Sequence, residues 1–425
     1  MKETGRESGR GQSDQQQQLE LPLGELVREA LLDTVVVSGL QYVGEVLEEE
    51  RTQLCGVRYR HDPQRRAGRA GAMASSLTLG GRRVQVERPR VRSREGHEFT
   101  LPSWRAWSAR DPLEQRALEQ MVLGISTRRY ARSLEALPEE LKVRGISKSA
   151  VSQRFVVGTT KKLAALMRRD LSGLKLVALM IDGVHFAEHV VLAAVGIDSS
   201  GEKHPLGLRE GATENAAACK ELLADLIEWG LNPNRAILVV IDGAKALRKA
   251  VLEVFGERAL LHRCQAHKKR NVAEALPQRL RASVHSAMNQ AYATGDPKRA
   301  RRLLENLARK LESDHPGAAA SLREGLEETL TVMRLGLPGN LERVLSSTNL
   351  IENLFSRVRE VARRVKRWQG GVMILRWTAA GVLDAERHFR KVAGYRALPK
   401  LVTALRAHDA TIDRPRQVES GKRAA

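Results

Sequence analysis

The hydrophobic pattern changes period several times along the chain. Residues 1–20 are polar, with glutamines at Gln15, Gln16, Gln17 and Gln18, and read as a disordered tail. From 21 to 50, Leu26, Val27, Ala30 and Leu31 recur at helical spacing. Leu77-Thr78-Leu79 and Val84-Gln85-Val86 alternate on either side of Gly80-Gly81, the pattern of a tight hairpin. Further helices are predicted over Leu113–Leu123 and over Thr127–Leu137, where Pro138 stops the second. Ser147 is a good N-cap for another, through Val151 and Phe155.

From 174 onward the runs are short, apolar and β-branched, as in strands buried on both faces. Leu174–Ile181 is one, ended by Asp182-Gly183. Val190–Ile197 is a second, and His204–Leu208 a third. A helix is predicted over Thr213–Trp229, a strand over Ala236–Ile241 ended by Asp242-Gly243, a helix over Ala244–Phe255 and a fifth strand over Ala259–His262. Three strands, helix, strand, helix, strand is the order of a ribonuclease-H-like mixed sheet, and the fold class is α/β. Residues 268–345 read as helices only, broken at Pro277, Pro316 and Pro338. Helical sequence resumes from 349 to about 394.

The predicted organisation is a tail (1–20), an N-terminal helix with an Arg-rich hairpin segment (21–110), and a helical region (111–172). The first part of the core (173–267), an all-α insertion (268–345), a catalytic helix with C-terminal helices (346–400) and a C-terminal tail (401–425), its last 20 residues mobile, follow.

Charge narrows the partner. Against 50 acidic residues stand 71 basic ones, a net +21 over 425 residues, and that excess favours a polyanion, nucleic acid first. Within the Arg-rich stretch from Arg58 to Arg94, the hairpin's tail, Val86–Arg92, suits phosphate contact, or equally an edge strand guarded by charge and proline. The helix bearing Lys148, Gln153 and Arg154 resembles the second helix of a helix-turn-helix, although Pro138–Arg144 is long for its turn. Cys55, Cys219 and Cys264 are scattered and form no disulfide framework, which fits a reducing cytosol. No apolar run has membrane-spanning length and no signal peptide opens the chain, so a cytoplasmic protein is expected, nucleoid-associated when on DNA.

The candidate chemistry lies in three acids. If Asp182 and Asp242 end neighbouring strands, their carboxylates meet at one rim, repel, and favour a cation. Hard oxygen ligands select Mg²⁺ or Mn²⁺, and two such ions serve phosphoryl displacement. Either Asp-Gly alone is also ordinary turn chemistry. Glu352 has two readings as well. It fits a capping box with Asn349 as N-cap, and it also shares a helix face with Ser356, Arg359, Arg363 and Lys366, opposite Ile351, Leu354, Val358, Val361 and Val365. Cys264 and His267 precede Lys268, Lys269 and Arg270, which with Arg359, Arg363 and Lys366 are expected to contact DNA. A zinc pair would need a second pair that does not follow, so contact with a scissile phosphate or support of the acids suits His267 better.

Four segments, in order, resemble the Mutator-type bacterial insertion-sequence transposases: Ile181-Asp182-Gly183-Val184-His185-Phe186; Ile241-Asp242-Gly243-Ala244-Lys245-Ala246-Leu247; Arg263-Cys264-Gln265-Ala266-His267-Lys268-Lys269-Arg270-Asn271-Val272; and Ser347-Thr348-Asn349-Leu350-Ile351-Glu352-Asn353-Leu354-Phe355-Ser356. The resemblance covers roughly residues 20–400. It implies a DDE-type transposase with Asp182, Asp242 and Glu352 as catalytic acids, two Mg²⁺ or Mn²⁺ ions per site, and Cys264 and His267 as a C-x-x-H signature. It also implies DNA partners, namely terminal inverted repeats and a target, with no nucleotide cofactor and no membrane. Holding two ends together calls for a homodimer. A nuclease or junction resolvase on the same core, and a domesticated DNA-binding regulator, are the alternatives.

Overall fold

The computed structural model describes residues 14–413, apart from residues 61, 80, 110–111, 135–140, 142, 145–146, 187 and 212–215. The chain forms two units: residues to Met121 with Ile125–Phe155, and Val122–Gly124 with Val156 onward.

In the first unit, α1 (Asp14–Cys55) is followed by the hairpin β1 (Ala67–Leu79) and β2 (Arg82–Ser93). Leu77, Thr78 and Leu79 pair with Val84, Arg83 and Arg82, as the alternation predicts, and pairing continues back to Ala67 and Ser93. β2 also pairs with β3 (Glu98–Phe99) and with β4 (Val143–Arg144), and α2 (Pro102–Ala109) and α3 (Pro112–Val122) lie between those strands in sequence. Leu47, Leu77, Val91, Leu101 and Trp104 form the core of the hairpin and its helices. Arg88 and Arg90 reach Glu98 at 3.0 and 2.8 Å, and Arg88 also lies over the Trp104 ring, so part of the Arg-rich stretch is satisfied internally.

Two expectations fail in this unit. Helix α1 begins at Asp14, inside the stretch expected to be a tail; residues 1–13 lie outside the described ones. The described part of Thr127–Leu137 holds only a 3₁₀ turn at Ala131–Ser133 instead of a helix. The buried Tyr130 donates its hydroxyl to the carbonyl of Gly81, and this tertiary tie takes the place of helical continuation. The next helix, α4 (Lys148–Leu166), is capped as predicted: Ser147 Oγ accepts from the Ala150 amide at 3.2 Å.

The second unit is built on five strands: β5 (Leu176–Phe186), β6 (His189–Asp198), β7 (Lys203–Gly211), β8 (Ile237–Ile241) and β9 (Ala259–Arg263). Their order is β7-β6-β5-β8-β9, with β7, β6 and β5 antiparallel and β5, β8 and β9 parallel. Helices α5 (Ala216–Glu228) and α6 (Lys245–Phe255) make the crossovers.

Odd and even strand positions face opposite layers. Leu179, Ile181, Val239 and Ile241 share a core with Leu222 and Leu226 of α5 and Leu247 and Val251 of α6. Ala178, Met180, Leu238 and Val240 share the other core with the C-terminal helices. Each fully buried Leu, Ile or Val contributes roughly 1.5–3 kcal/mol, which explains why these runs are almost purely apolar.

Seven helices follow β9: α7 (Gln265–Glu274), α8 (Gln278–Tyr292), α9 (Pro297–Leu311), α10 (Pro316–Arg323), α11 (Leu326–Thr329), α12 (Thr331–Arg334) and α13 (Gly339–Leu345). The helices from α7 to α12 enclose a core of their own, including Val272, Met288, Leu304 and Leu322, whereas Val332 of α12 and Leu341 and Leu345 of α13 join the core on the sheet. Pro277 and Pro338 stand just before helices and Pro316 sits in a first turn, where a missing amide costs least.

The chain then adds α14 (Asn349–Ala362), α15 (Gly371–Glu386) and α16 (Leu398–Ile412). The tail expected from 401 is helical as far as Ile412, because Leu398, Leu401 and Leu405 form an apolar stripe buried against the sheet; residues 414–425 lie outside the described ones. Among the described residues, no helix is long and apolar enough to cross a membrane.

Candidate active site

Asp182 is not at the end of its strand. β5 continues to Phe186, because β6 pairs with it as far as Phe186–His189. Asp182 does mark where the parallel pairing stops. The last such pair is Ile181–Ile241, so Asp182 and Asp242 take the next positions on adjacent strands. They also follow the even-numbered positions, Met180 and Val240, that face the C-terminal helices. Asp182 is 4% exposed, and its Oδ1 accepts from the Gly183 amide at 2.9 Å. Asp242 makes the turn that Asp-Gly suggests, with Oδ1 accepting from the Ala244 amide at 2.8 Å and Gly243 at φ +106°. Asp242 thus makes its turn one position beyond the last parallel pair.

Glu352 comes from α14, which packs on the same sheet face through Ile351, Leu354, Phe355 and Val358. The capping box does not form. Thr348 is the N-cap, Asn349 is already helical, and no side chain caps the first turn. Glu352 Oε1 instead stands 3.8 Å from His267 Nε2 and 3.6 Å from Arg270 Nη2.

Cys264 and His267 sit between these acids. The Cys264 amide donates to Ile241 O at 2.7 Å, fixing the β9–α7 turn beside Asp242. The Thr348 amide lies 3.4 Å from Cys264 Sγ, and Thr348 Oγ1 lies 3.3 Å from His267 Nδ1. Thr348 therefore ties the start of α14 to the C-x-x-H turn. Sequence reading did not assign it a role, and a hydroxyl immediately before a predicted helix was its only signal.

Protonation reflects this crowding. Burial pushes the Asp182 carboxyl up to about 6; Asp242 adds to the effect, while the His267 cation and the Thr348 hydroxyl oppose it. Interaction with Cys264 raises His267 to about 9 against the opposing effect of burial, with Asp182 and Asp242 adding to the rise. Burial alone would raise the Cys264 thiol, but its contacts with His267 and Thr348 leave it below the usual thiol value. His267 is thus a cation at neutral pH among three carboxylates.

The basic residues divide. Lys268 does not reach solvent: it is fully buried, and its ammonium donates to Ser321 O and Glu324 O near the end of α10. Arg263 also donates to Glu324 O, at 3.0 Å, and its guanidinium passes over Gly243. Together they bind the helical insertion to the turn after Asp242. Lys269 is half-buried and donates to Asn289 Oδ1 at 2.8 Å, whereas Arg270 is exposed. Arg359 is exposed on α14 as expected, Arg363 is the helix C-cap, and Lys366 lies beyond the helix end, so the predicted charged stripe is shorter than the sequence suggested. In the first unit, Lys148 and Gln153 are exposed on α4 and Arg154 is partly buried, donating to Ala150 O.

Comparison with known proteins agrees with the motifs. The profile described as "Transposase, Mutator family" matches residues 12–391. The transposase for insertion sequence element ISRM5 of Rhizobium meliloti (strain 1021) is 27% identical over 361 residues, 83% of this chain and 87% of its own. The transposase for element IS256 in transposon Tn4001 of Staphylococcus aureus is 26% identical over 355 residues, 80% of this chain and 87% of its own. The transposase for IS6120 of Mycolicibacterium smegmatis is 28% identical over 221 residues, 51% of this chain and 67% of its own. The chain belongs to the Mutator family of transposases, enzymes that act on DNA.

Proposed function

We propose that Asp182, Asp242 and Glu352 form a DDE site on a ribonuclease-H-like core, cutting DNA at the terminal inverted repeats of an insertion sequence and joining the freed ends to a target. The observation that carries this reading is the register of β5 and β8. Two aspartates follow directly on the last parallel pair, with the parity that faces the helix bearing Glu352.

The donor set suits Mg²⁺ or Mn²⁺. All three acids offer hard oxygens, and Asp182 is buried beside a second carboxylate without enough local cation to hold it at its ordinary ionisation. Asp182, Asp242 and Glu352 would hold the metal, two ions per site; when bound, these would activate the attacking oxygen and stabilise the leaving one. Asp182 stays rigid through its strand pairing and the Gly183 amide. The cationic His267 stands beside Glu352, where it can donate to a phosphate oxygen, and Thr348 fixes its other nitrogen. Arg270, Arg359 and Arg363 lie exposed on or beside these elements and suit the backbone on either side of the scissile bond. Engaging two element ends implies a dimer on DNA.

The test is strand transfer of a pre-cut inverted-repeat end into plasmid DNA in Mg²⁺. Wild type should join ends, and Asp182→Asn, Asp242→Asn and Glu352→Gln should each lose joining while still binding DNA. Joining that survives Asp182→Asn overturns the assignment; cutting without any joining favours a nuclease on the same core.

A further inference from the structure

The helical insertion carries a charged face that the proposed site does not use. Helix α9 turns Ala300, Leu304, Ala308 and Leu311 into the insertion's core. At ~100° per residue, Arg299, Arg302, Asn306, Arg309 and Lys310 fall within about 60° of the opposite direction. All except the partly buried Asn306 are exposed. Among the described residues, the ion pair of this helix is made by Arg301, with Glu327 at 3.0 Å; Arg299, Arg302, Arg309 and Lys310 make none, and Arg309 donates to Asn306 Oδ1 within the ridge.

At its N-terminal end this arrangement works against the helix's own stability, although Arg309 and Lys310 suit the last turn. Lys298 and Arg299 occupy the first turn, where the helix dipole favours acids, and that turn has no acidic residue. Arg299 and Arg302 repel at i,i+3 spacing. Asp296 caps the helix by accepting from the Lys298 and Arg299 amides, so the helix is held despite the charge. Residues that break local stability rules without a compensating internal contact mark a surface used by something else.

We infer that this ridge of α9 binds the phosphate backbone of duplex DNA, away from the point of cleavage. From Arg299 to Lys310 the helix rises about 16 Å, the axial span of about five phosphates on one strand. Arginine supplies the planar donors that phosphate accepts. Beside the ridge, α8 and α9 enclose a groove of about 410 Å³ lined by Leu303 and Leu307 and edged by Gln290, Asn306, Arg309 and Lys310, so side-chain amides stand next to the charges. An acidic protein partner would fit the charge, but the small apolar lining of this groove gives it little to bury. The inference rests on the proposed DNA chemistry and assigns the insertion a share of the grip on the substrate.

The experiment uses the full chain with Arg299→Gln, Arg302→Gln, Arg309→Gln and Lys310→Gln combined. Binding of a fluorescent duplex is measured by anisotropy across a salt series, alongside wild type and Asp182→Asn. Each lost phosphate contact should flatten the plot of log affinity against log salt by about 0.9, so a loss of roughly 2–4 in slope and at least tenfold in affinity near 0.1 M salt is expected. Asp182→Asn should keep the wild-type slope. The melting temperature of the quadruple variant should stay within a few degrees of wild type, since all four side chains are exposed and make no ion pair, and this separates loss of contact from loss of fold. An unchanged slope in a folded quadruple variant overturns the inference while leaving the DDE reading intact. Failure of wild type to bind any duplex overturns both.

Discussion

Replacing Gly243 by alanine should destabilise the second unit by about 2–5 kcal/mol, more than a glycine-to-alanine change in a turn ordinarily does. An added Cβ would lie 2.0 Å from Arg263 Nε and 2.6 Å from its Cζ, and the backbone is at φ +106°. The backbone strain alone is worth about 1–2 kcal/mol. Arg263 is 6% exposed, and moving it breaks the bond to Glu324 O, leaving buried polar groups unpaired at about 1–3 kcal/mol more. For a unit of this size the melting temperature should fall on the order of 10 °C by calorimetry. Gly295→Ala is the control: its φ is +67° but nothing lies within 4 Å of the added carbon, so only about 1 kcal/mol should be lost. In an Arg263→Ala background the penalty of Gly243→Ala should shrink to near that of Gly295→Ala. Equal penalties in both backgrounds would refute the clash, and with it the view that Arg263 is wedged between the Asp242 turn and the insertion.

Other consequences are testable in the same way. Asp182 binds its proton more tightly folded than unfolded, with a folded value of about 6 against an ordinary 3.8, so stability is lost as pH rises through that window. In chelator, Asp182→Asn should therefore stabilise the protein by on the order of 2–3 kcal/mol at pH 7.5 and by nearly nothing at pH 4. Added Mg²⁺ should raise the melting temperature of wild type and leave that of Asp182→Asn unmoved, as read by thermal scan. Lys268→Met removes the donor for two carbonyls in a fully buried place and should cost about 2–4 kcal/mol in urea unfolding, although the change keeps the side-chain length. Phe355→Ala, in a fully buried position 6.0 Å from the Phe186 ring, should cost about 3–5 kcal/mol and lower strand transfer through the looser seat of Glu352.

Local pattern was enough for much of this molecule. The five strands of the second unit, their two crossover helices and the hairpin around Gly81 were readable because burial and turn chemistry leave a one-dimensional trace. The boundary of β5 was not: whether a strand continues past Asp182 depends on how far β6 accompanies it, and no residue of β5 records that. Lys268 misled for a similar reason. In sequence it is one of three adjacent cations; in the fold it points inward to the end of α10, while Arg270 points out. Leu398, Leu401 and Leu405 did carry a helical stripe, but the charge and low hydrophobicity around them concealed it. Thr348 was invisible as a connector, because its partners Cys264 and His267 lie some 80 residues upstream.

The position of α14 has a consequence during synthesis. Two of the three acids are in place once β8 has been made, but Glu352 and the helices that cover that sheet face follow more than 100 residues later. A chain that stops before Asn349 lacks the third acid and also the side chains of α14, α15 and α16, such as Phe355, Ile374 and Leu401, that share a core with Met180, Val195 and Val240. Exposed strands of this kind aggregate. Interrupted translation is therefore expected to yield an aggregation-prone product that also lacks Glu352, and the proposed site would be completed only when α14 has been made.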